Sequence, residues 1–472
     1  MMGRRSSRLL LCLLLSCAGS QAAFAQSLWP LAQGPSGLPQ SQSGLPQNPS
    51  GLLQNPSGMR DVGTLWVNAT SMADANDEQS GEAAGDAQHR GVQVSSALMA
   101  RFSYRPLERE RLKVQFIAQT GTRHYLALHE FTPTGHNAQL SAVVPLGRTS
   151  INVTESVTYT PNYSLVGNLT LIPDDTGAIS SSWVDYSVAR NPSVSSLTNV
   201  GLIWAISSRA GLGMSYGLRR TAFTDGTGAD LTYSGAGARF GYRLTKFLNF
   251  RAGYARRLGS YGLTAGSPDD LTGSPVFLAG APDIFVDDVD IGLDFNNNQS
   301  RAIKLGRKTT LAFGTGSSIV TEETRHRFML TGSATLVREL GRKGSAALSY
   351  ERGVQMIDGL RAPVFADSVR GSVTASLTSR VSLTNGITYT FGAVGLRSGN
   401  NDYRTVSGSS EVNVDVTRGT ALYVGYIYAA NTLGSSVELP IGVPNVYGRQ
   451  SVRVGLSVRM PVIQRPPSRE RK

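Results

Sequence analysis

The chain has 472 residues and a formal net charge of +12, from 45 Lys and Arg against 33 Asp and Glu. Both cysteines, Cys12 and Cys17, lie within the first 25 residues, so a chain cleaved after Ala25 has no disulfide, thiolate-bound zinc or cysteine nucleophile. The basic residues are spread along the sequence rather than concentrated in one segment, which argues against nucleic acid as a partner.

The N-terminus has the pattern of an export signal. Three arginines precede the apolar run Leu9–Leu15, and Ala23-Phe24-Ala25 matches a small-x-small cleavage site. The apolar run is too short to cross a bilayer as a helix. The sequence therefore predicts a signal peptide over residues 1–25, with a lipidated Cys17 as the alternative.

Residues 26–61 are low in complexity. A Ser-Gly-Leu or Ser-Gly-Met triplet recurs every seven residues, at Ser36, Ser43, Ser50 and Ser57, with Pro and Gln between. The frequent Gly and Pro oppose a coiled coil in spite of the heptad spacing. This composition predicts a disordered periplasmic linker, and the alternative is a docking segment for a periplasmic export component.

From Val62 onward, apolar and polar residues alternate in segment after segment. The last segment is the clearest, because one face is entirely apolar while the other carries Ser, Arg and Gly. The apolar face consists of Val452, Val454, Leu456, Val458 and Met460. A strand has a period of two, so this pattern behind an export signal predicts strands with one face toward lipid and one toward a wet lumen.

The connections between these strands also alternate. Short ones, most of them carrying Arg or Lys, separate long ones such as the acidic Met72–His89. Pairing the segments around them gives about 18 strands, or 16 if one hairpin is lost. We predict an all-β fold, a transmembrane antiparallel up-and-down β-barrel over residues 62–460, with a basic periplasmic tail at 461–472. Its location would be the cell outer membrane, with both termini periplasmic.

Three local features go beyond the regular pattern. The eleventh strand is placed at 301–313, followed by a long loop at Gly314–Thr324. The alternation changes phase near Gly235–Gly237, which indicates a β-bulge. Glu155 falls on the apolar face of its strand, and the sequence offers no reason for it.

The segment Arg453–Met460 resembles the C-terminal signal of Gram-negative outer-membrane barrels, which the barrel assembly machinery reads. That signal runs polar, any, Gly, any, any, hydrophobic, any, hydrophobic, and the family usually ends on an aromatic residue. Here Met460 takes the last position and twelve residues follow. The resemblance implies the barrel assembly machinery and outer-membrane lipid as partners.

Motifs for catalysis are weak in this chain. Gly213-Met214-Ser215-Tyr216-Gly217 matches a nucleophile elbow, but it lies inside an alternating strand rather than at a strand-to-helix turn. His124, His129 and His136 do not have the spacing of a zinc site. The sequence predicts no catalytic, cofactor-binding or metal site, and no enzyme.

The candidate functional residues are the charged side chains that the alternation turns inward. Lumen carboxylates are expected to pair with lumen cations, and Asp288, Asp290 and Asp294 share one face. The pore-lining candidates are Arg101, Lys113, Arg219, Arg251, Asp288, Asp290, Asp294, Lys304, Lys308, Arg327, Arg370, Glu411, Asp415, Arg453 and Arg459.

A barrel of 16–18 strands is wide enough for an aqueous channel. The leading hypothesis is passive diffusion of polar solutes with a mild preference for anions, through a constriction made by inward-folded loops such as 161–196 or 259–283. The first alternative is a pore for exopolysaccharide secretion, since the barrel size and inward arginines resemble alginate-type export barrels. The second alternative is a structural or adhesive barrel with a filled lumen.

Overall fold

The computed structural model describes residues 60–77, 91–109, 112–126, 130–162, 191–224, 230–245, 248–262, 283–295, 309–322, 325–341, 343–396, 401–440 and 443–465. The predicted signal peptide, nearly all of the predicted linker and residues 466–472 of the predicted tail lie outside this part of the chain. No helix among the described residues is long and apolar enough to cross a membrane.

Eighteen strands form one antiparallel sheet that closes on itself, because β1 pairs with both β2 and β18. The strands are β1 (Arg60–Asp77), β2 (Gly91–Arg109), β3 (Leu112–Tyr125), β4 (Glu130–Leu146), β5 (Thr149–Thr160), β6 (Ser193–Ala205), β7 (Ala210–Phe223), β8 (Leu231–Arg243), β9 (Leu248–Tyr261), β10 (Ile284–Phe295), β11 (Thr309–Glu322), β12 (Arg325–Glu339), β13 (Gly344–Gln355), β14 (Val364–Ser376), β15 (Val381–Val394), β16 (Asp402–Asp415), β17 (Thr420–Leu433) and β18 (Val446–Arg465). The predicted all-β, up-and-down barrel with 18 strands is confirmed.

Side chains alternate between the two surfaces of the sheet as the sequence predicted. On β18, Val452 and Val454 are about half exposed on the outside, while Ser451 and Arg453 are buried on the inside. An outer surface of exposed Val, Leu, Phe and Tyr favours contact with hydrocarbon, and closure leaves no strand edge unpaired in the sheet.

Glu155 faces the outer surface, and its neighbour on the next strand explains how it is accommodated. Thr198 on β6 pairs with Glu155 on β5 and donates its hydroxyl to Oε2 at 2.5 Å. A carboxylate facing hydrocarbon needs a hydrogen-bond donor, and the hydroxyl supplies one from the same face of the sheet.

The connections separate two rims. On one rim, which also carries the start of β1 and the end of β18, strands such as β4–β5 and β16–β17 are joined by two to four residues. We call the opposite rim the long-loop rim, because most of its connections are longer. Met356–Pro363, between β13 and β14, belongs to it.

Strand β11 differs from its predicted position. It spans Thr309–Glu322 rather than 301–313, and only residues 323–324 separate it from β12, so the predicted long loop at Gly314–Thr324 is wrong. The Gly-Thr-Gly-Ser-Ser run at 314–318 looks like a turn in the sequence. In the barrel Gly314 makes room for the guanidinium of Arg251 on the lumen wall.

The predicted bulge at Gly235–Gly237 is also wrong. Strand β8 pairs with β7 and β9 without a break in register. The apolar residues change faces because Leu231 and Tyr233 point into an apolar part of the lumen, whereas Phe240 and Tyr242 further along the strand point outward.

The terminal strands are longer than the sequence indicated. β1 begins at Arg60 and continues to Asp77, so residues 72–77 are strand rather than acidic loop. β18 continues five residues past Met460 to Arg465, and Arg60 pairs with Arg465. The barrel therefore includes the first residues of the segment predicted as a tail.

Candidate functional site in the barrel lumen

The long-loop half of the lumen is filled with apolar side chains. One cluster, cluster A, joins Phe223, Ile357, Leu360, Val364, Ala366, Val394, Tyr403, Leu433, Val437 and Val443. A second, cluster B, joins Leu231, Tyr233, Tyr261, Ile284, Val286, Val320, Met329, Val354, Met356 and Phe365. Both clusters draw on strand ends at the long-loop rim, so they pack at one level of the barrel.

The segment Met356–Pro363 folds into the lumen and holds the two clusters together. Met356 belongs to cluster B, while Ile357 and Leu360 belong to cluster A, and all three are at most 3% exposed. The chain turns at Gly359, which has a φ of 81° that side chains other than Gly rarely tolerate. We call this stretch the lumen segment.

One ion pair fastens the lumen segment to a distant strand. Asp358, at its centre, accepts a hydrogen bond from the guanidinium of Arg219 on β7, and both side chains are buried. Strand β7 lies several strands away from β13 and β14 around the sheet. The segment therefore reaches across the lumen rather than lying along its own wall. Of the predicted constriction loops 161–196 and 259–283, residues 163–190 and 263–282 lie outside the described residues, while 193–196 belong to β6 and 259–261 to β9.

Below this level, the wall formed by β8–β11 carries paired charges. Arg257 lies 2.6 Å from Asp288, which also accepts a hydrogen bond from Ser318. Asp290 lies 3.2 Å from Arg239 and 3.4 Å from Arg251. Each carboxylate thus has an arginine on a neighbouring strand, and these described ion pairs join three arginines to two carboxylates.

Glycines let these charges lie flat against the sheet. The guanidinium of Arg251 rests on Gly292 and Gly314, and Asp290 rests on Gly253, so that a Cβ at any of the three would collide with the charged group. Glycine inside a strand often marks such a close approach. The consequence is a charged surface that occupies little of the lumen's width.

A separate polar network crosses the seam where the barrel closes. Arg453 on β18 lies 2.5 Å from Glu411 on β16, and both side chains are at most 4% exposed. The ring of Tyr423 lies between them and β1, and its hydroxyl donates to Asn68 Oδ1 at 2.8 Å. The network therefore links the last three strands to the first.

Two further contacts flank this network along β1. Toward the long-loop rim, Arg449 on β18 lies 2.9 Å from Asp74, and both side chains are buried. Toward the other rim, the ring of Trp66 lies between Arg101 and Arg459, whose guanidinium carbons are 5.8 Å and 5.9 Å from its centre. Attraction between a cation and an aromatic face stabilises both arginines there.

Most of the predicted pore-lining residues lie on the lumen face. That face carries Arg101, Lys113, Arg219, Arg251, Asp288, Asp290, Arg327, Arg370, Glu411, Asp415, Arg453 and Arg459. Asp294 belongs to β10, but its side chain is outside the description, as are Lys304 and Lys308 altogether. Asp288 and Asp290 pair with arginines of β8 and β9, as expected of lumen carboxylates.

Several site residues escaped the sequence reasoning. Asp74 falls in the segment that the sequence predicts as an acidic loop, and Asp358 directly precedes the predicted connection Gly359–Pro363. Arg239 and Arg257 were hidden by the apparent change of phase in β8 and by the neighbouring Arg256. The lumen-facing glycines of the sequence could have indicated these sites. Gly292 and Gly314 occupy positions where the guanidinium of Arg251 approaches the backbone closely.

The residues of the possible catalytic motifs lie in regular strands. Ser215 lies within β7, between the outward Met214 and Tyr216, and not at a strand-to-helix turn. His124 and His136 lie on β3 and β4. Among the residues that the structure describes, no three His, Cys, Asp or Glu side chains are grouped as a metal ion would require.

Known proteins resemble this chain in fold only. No family model and no curated protein matches the chain. Among solved structures, it is similar to Pseudomonas aeruginosa OpdQ (TM-score 0.43, 9% identity) and OpdO (0.42, 12%), covering 85% of this chain and 98% of each of theirs. OmpT, an outer membrane protein of Vibrio cholerae, has a TM-score of 0.34 at 11% identity, over 85% of this chain and 98% of OmpT.

Proposed function

We propose that the chain is an outer-membrane channel that passes small polar solutes by passive diffusion, with a mild preference for anions. Both termini would lie in the periplasm, on the side of the short connections. The apolar outer surface of the barrel supports a membrane location, because exposing so large an apolar surface to water would be unfavourable.

The observation that carries this proposal is the way lumen charges lie on the wall of a closed 18-stranded sheet. A barrel of this strand number is wide enough for an aqueous channel unless it is filled. Arg251 and Asp290 are pressed onto glycines, so the wall stays thin at their level. A polar wall is also expected where water and solutes pass.

The preference for anions follows from the balance of buried charge. Among the described residues, five arginines on the lumen face are at most 9% exposed, against three carboxylates. They are Arg123, Arg219, Arg370, Arg449 and Arg453, against Asp74, Asp358 and Glu411. The excess positive charge lowers the energy of an anion in the lumen relative to a cation.

Planar-bilayer recording of the purified chain tests the proposal. We expect discrete conductance steps and a reversal potential in a KCl gradient that shows faster passage of chloride. Arg101→Gln and Arg370→Gln together remove two lumen cations, so the preference should shift toward potassium. Arg338→Gln, on the outer surface of β12, is the matched control and should leave the reversal potential unchanged.

The lumen segment favours a second candidate, a structural barrel with a closed lumen. The apolar side chains of the lumen segment are buried within clusters A and B, and they occupy space in the lumen that an open channel would need. Under this candidate the purified chain would show no conductance steps, and the charge substitutions would have nothing to change.

A further inference from the structure

A triad of polar side chains stands on the outer surface of β9 and β10, near the long-loop rim. The hydroxyl of Tyr254 donates to Asp287 Oδ1 at 2.6 Å. Arg256, directly opposite Asp287 in the strand pairing, approaches the same oxygen at 3.8 Å and is 59% exposed. The carboxylate positions the guanidinium but does not saturate it, since 3.8 Å exceeds the length of a hydrogen bond.

The same triad occurs again four strands further around the barrel, on β13 and β14. Tyr350 donates to Asp367 Oδ1 at 2.5 Å. Arg352 lies opposite Asp367, approaches its Oδ1 at 3.9 Å and is 46% exposed. In both copies a Tyr-x-Arg strand pairs with an Asp-x-Val strand, so the sequence repeats together with the geometry. We call the two copies the rim triads.

The rim triads occupy the same level of the barrel. In each, the Arg–Asp pair lies three residue pairs in from the last pair of its hairpin, at Gly259–Ile284 and Gln355–Val364. This depth is about 10 Å along the strand. Below the triads the outer surface is apolar, with Ile291 and Leu348 more than half exposed. The triads therefore lie near the long-loop end of the hydrocarbon-facing band, with Leu258 and Phe285 beyond the first of them on the same surface.

Each rim triad offers three kinds of recognition side by side. A guanidinium with unsaturated donors suits a phosphate, and a carboxylate that already accepts one hydrogen bond can accept another from a sugar hydroxyl. A tyrosine ring at a membrane interface packs against the junction of headgroup and acyl chain. A phosphate next to a sugar, on an acylated molecule, matches all three.

We propose that each rim triad is a binding site for the phosphorylated sugar headgroup of a glycolipid. The inference rests on the outer-membrane placement proposed above, which puts the long-loop rim in the outer leaflet. Four strands separate the two sites by about 19 Å around the sheet, so they take two separate headgroups rather than one. The glycolipid would then form an ordered ring segment against β9–β14.

Native mass spectrometry of the detergent-purified chain tests the sites directly. A bisphosphorylated, acylated glucosamine disaccharide is titrated, with phosphatidylglycerol as the lipid that has a phosphate but no sugar ring. We expect two tightly bound glycolipids and weaker binding of phosphatidylglycerol. The double variant R256Q/R352Q should weaken glycolipid binding about tenfold or more, since it removes a charge-assisted contact at each site.

Two further variants make the test specific. R338Q removes an outward arginine near the opposite rim and should leave glycolipid binding unchanged. D287N/D367N should bring glycolipid binding toward that of phosphatidylglycerol, because a neutral amide oxygen accepts a hydrogen bond from the sugar more weakly than a carboxylate does. The proposal is overturned if the two lipids bind equally, or if R338Q weakens binding as much as R256Q/R352Q. Heat-modified gel mobility of each variant shows that the barrel is folded.

This test separates the lipid site from the channel. R256Q/R352Q changes only the outer surface, so its conductance should equal that of the parent chain. A chain that binds the glycolipid but never conducts would refute the channel and leave the rim triads in place. If the chain conducts but its glycolipid binding is unchanged by substitutions in both triads, the lipid sites are refuted and the channel stands.

Discussion

The two halves of the lumen are stabilised by opposite kinds of interaction. Near the long-loop rim, the lumen segment packs the buried apolar side chains of Ile357 and Leu360 against strand ends from β7 to β17. Toward the other rim, the interior is held by ion pairs and hydrogen bonds, among them Arg453–Glu411. The sheet is the same throughout, so the inward side chains alone decide which half is filled.

The difference teaches that lumen polarity follows position along the barrel rather than strand parity alone. Inward positions on β8 are apolar at Leu231 and Tyr233 but cationic at Arg239, six to eight residues along. A channel and a plug can therefore be built on one strand. Substitutions in the polar seam should therefore lower stability with little effect on conductance, whereas substitutions in the apolar half should change both.

The largest loss of stability is expected in the polar half, from Glu411→Gln. Removing the carboxylate leaves Arg453 as a buried cation without its ion-pair partner, which costs about 3–5 kcal/mol. The free energy of unfolding in guanidinium chloride, measured in detergent micelles, should fall by this amount. The conductance of folded molecules should change little, since both side chains lie on the wall at the seam.

Glu438→Gln is the matched control for that substitution. Glu438 pairs with Arg361 at 3.7 Å, but its side chain is 71% exposed, and such surface pairs contribute at most about 1 kcal/mol. A loss at Glu411 as small as that at Glu438 would show that the seam network does not hold β16–β18 to β1.

The apolar half should respond to Leu360→Ala. The side chain is fully buried in cluster A, and truncating a buried leucine costs about 2–5 kcal/mol. Because the lumen segment depends on this packing, we also expect higher single-channel conductance as the segment loosens. Leu377→Ala, in an exposed turn on the opposite rim, should alter neither quantity.

A conductance unchanged by Leu360→Ala, in a variant whose unfolding free energy has fallen, would mean that the lumen segment does not limit passage. It would contradict the idea that the apolar half is the constriction and would move that role to the charged wall.

Strand number and closure could be predicted from the sequence because they depend on local alternation. Each strand repeats an apolar face, and one irregular strand does not alter the count. The lumen segment could not be predicted in this way. The sequence predicts only a connection at Gly359–Pro363 there, and only tertiary contacts reveal that Asp358 has a partner on β7. The β11 error has the same origin, since Gly314 resembles a turn residue until Arg251 is placed beside it.

The smallest effect concerns the thin wall in the polar half, and Gly314→Ala tests it. A methyl group at this position collides with the guanidinium of Arg251, which must leave the wall. Because the atoms in the way are the far end of a flexible side chain, the free energy of unfolding should fall only slightly. The displaced cation would move toward the lumen axis, so we expect lower conductance together with a stronger preference for chloride.

Gly386→Ala provides the comparison, because it adds the same methyl group to a lumen-facing strand position with nothing within 4 Å. There the loss of chain freedom in the unfolded state makes alanine neutral or slightly stabilising, and conductance should stay the same. Equal behaviour of the two variants would mean that Arg251 moves aside without cost. The glycines would then no longer explain why the charged wall of the polar half occupies little of the lumen's width.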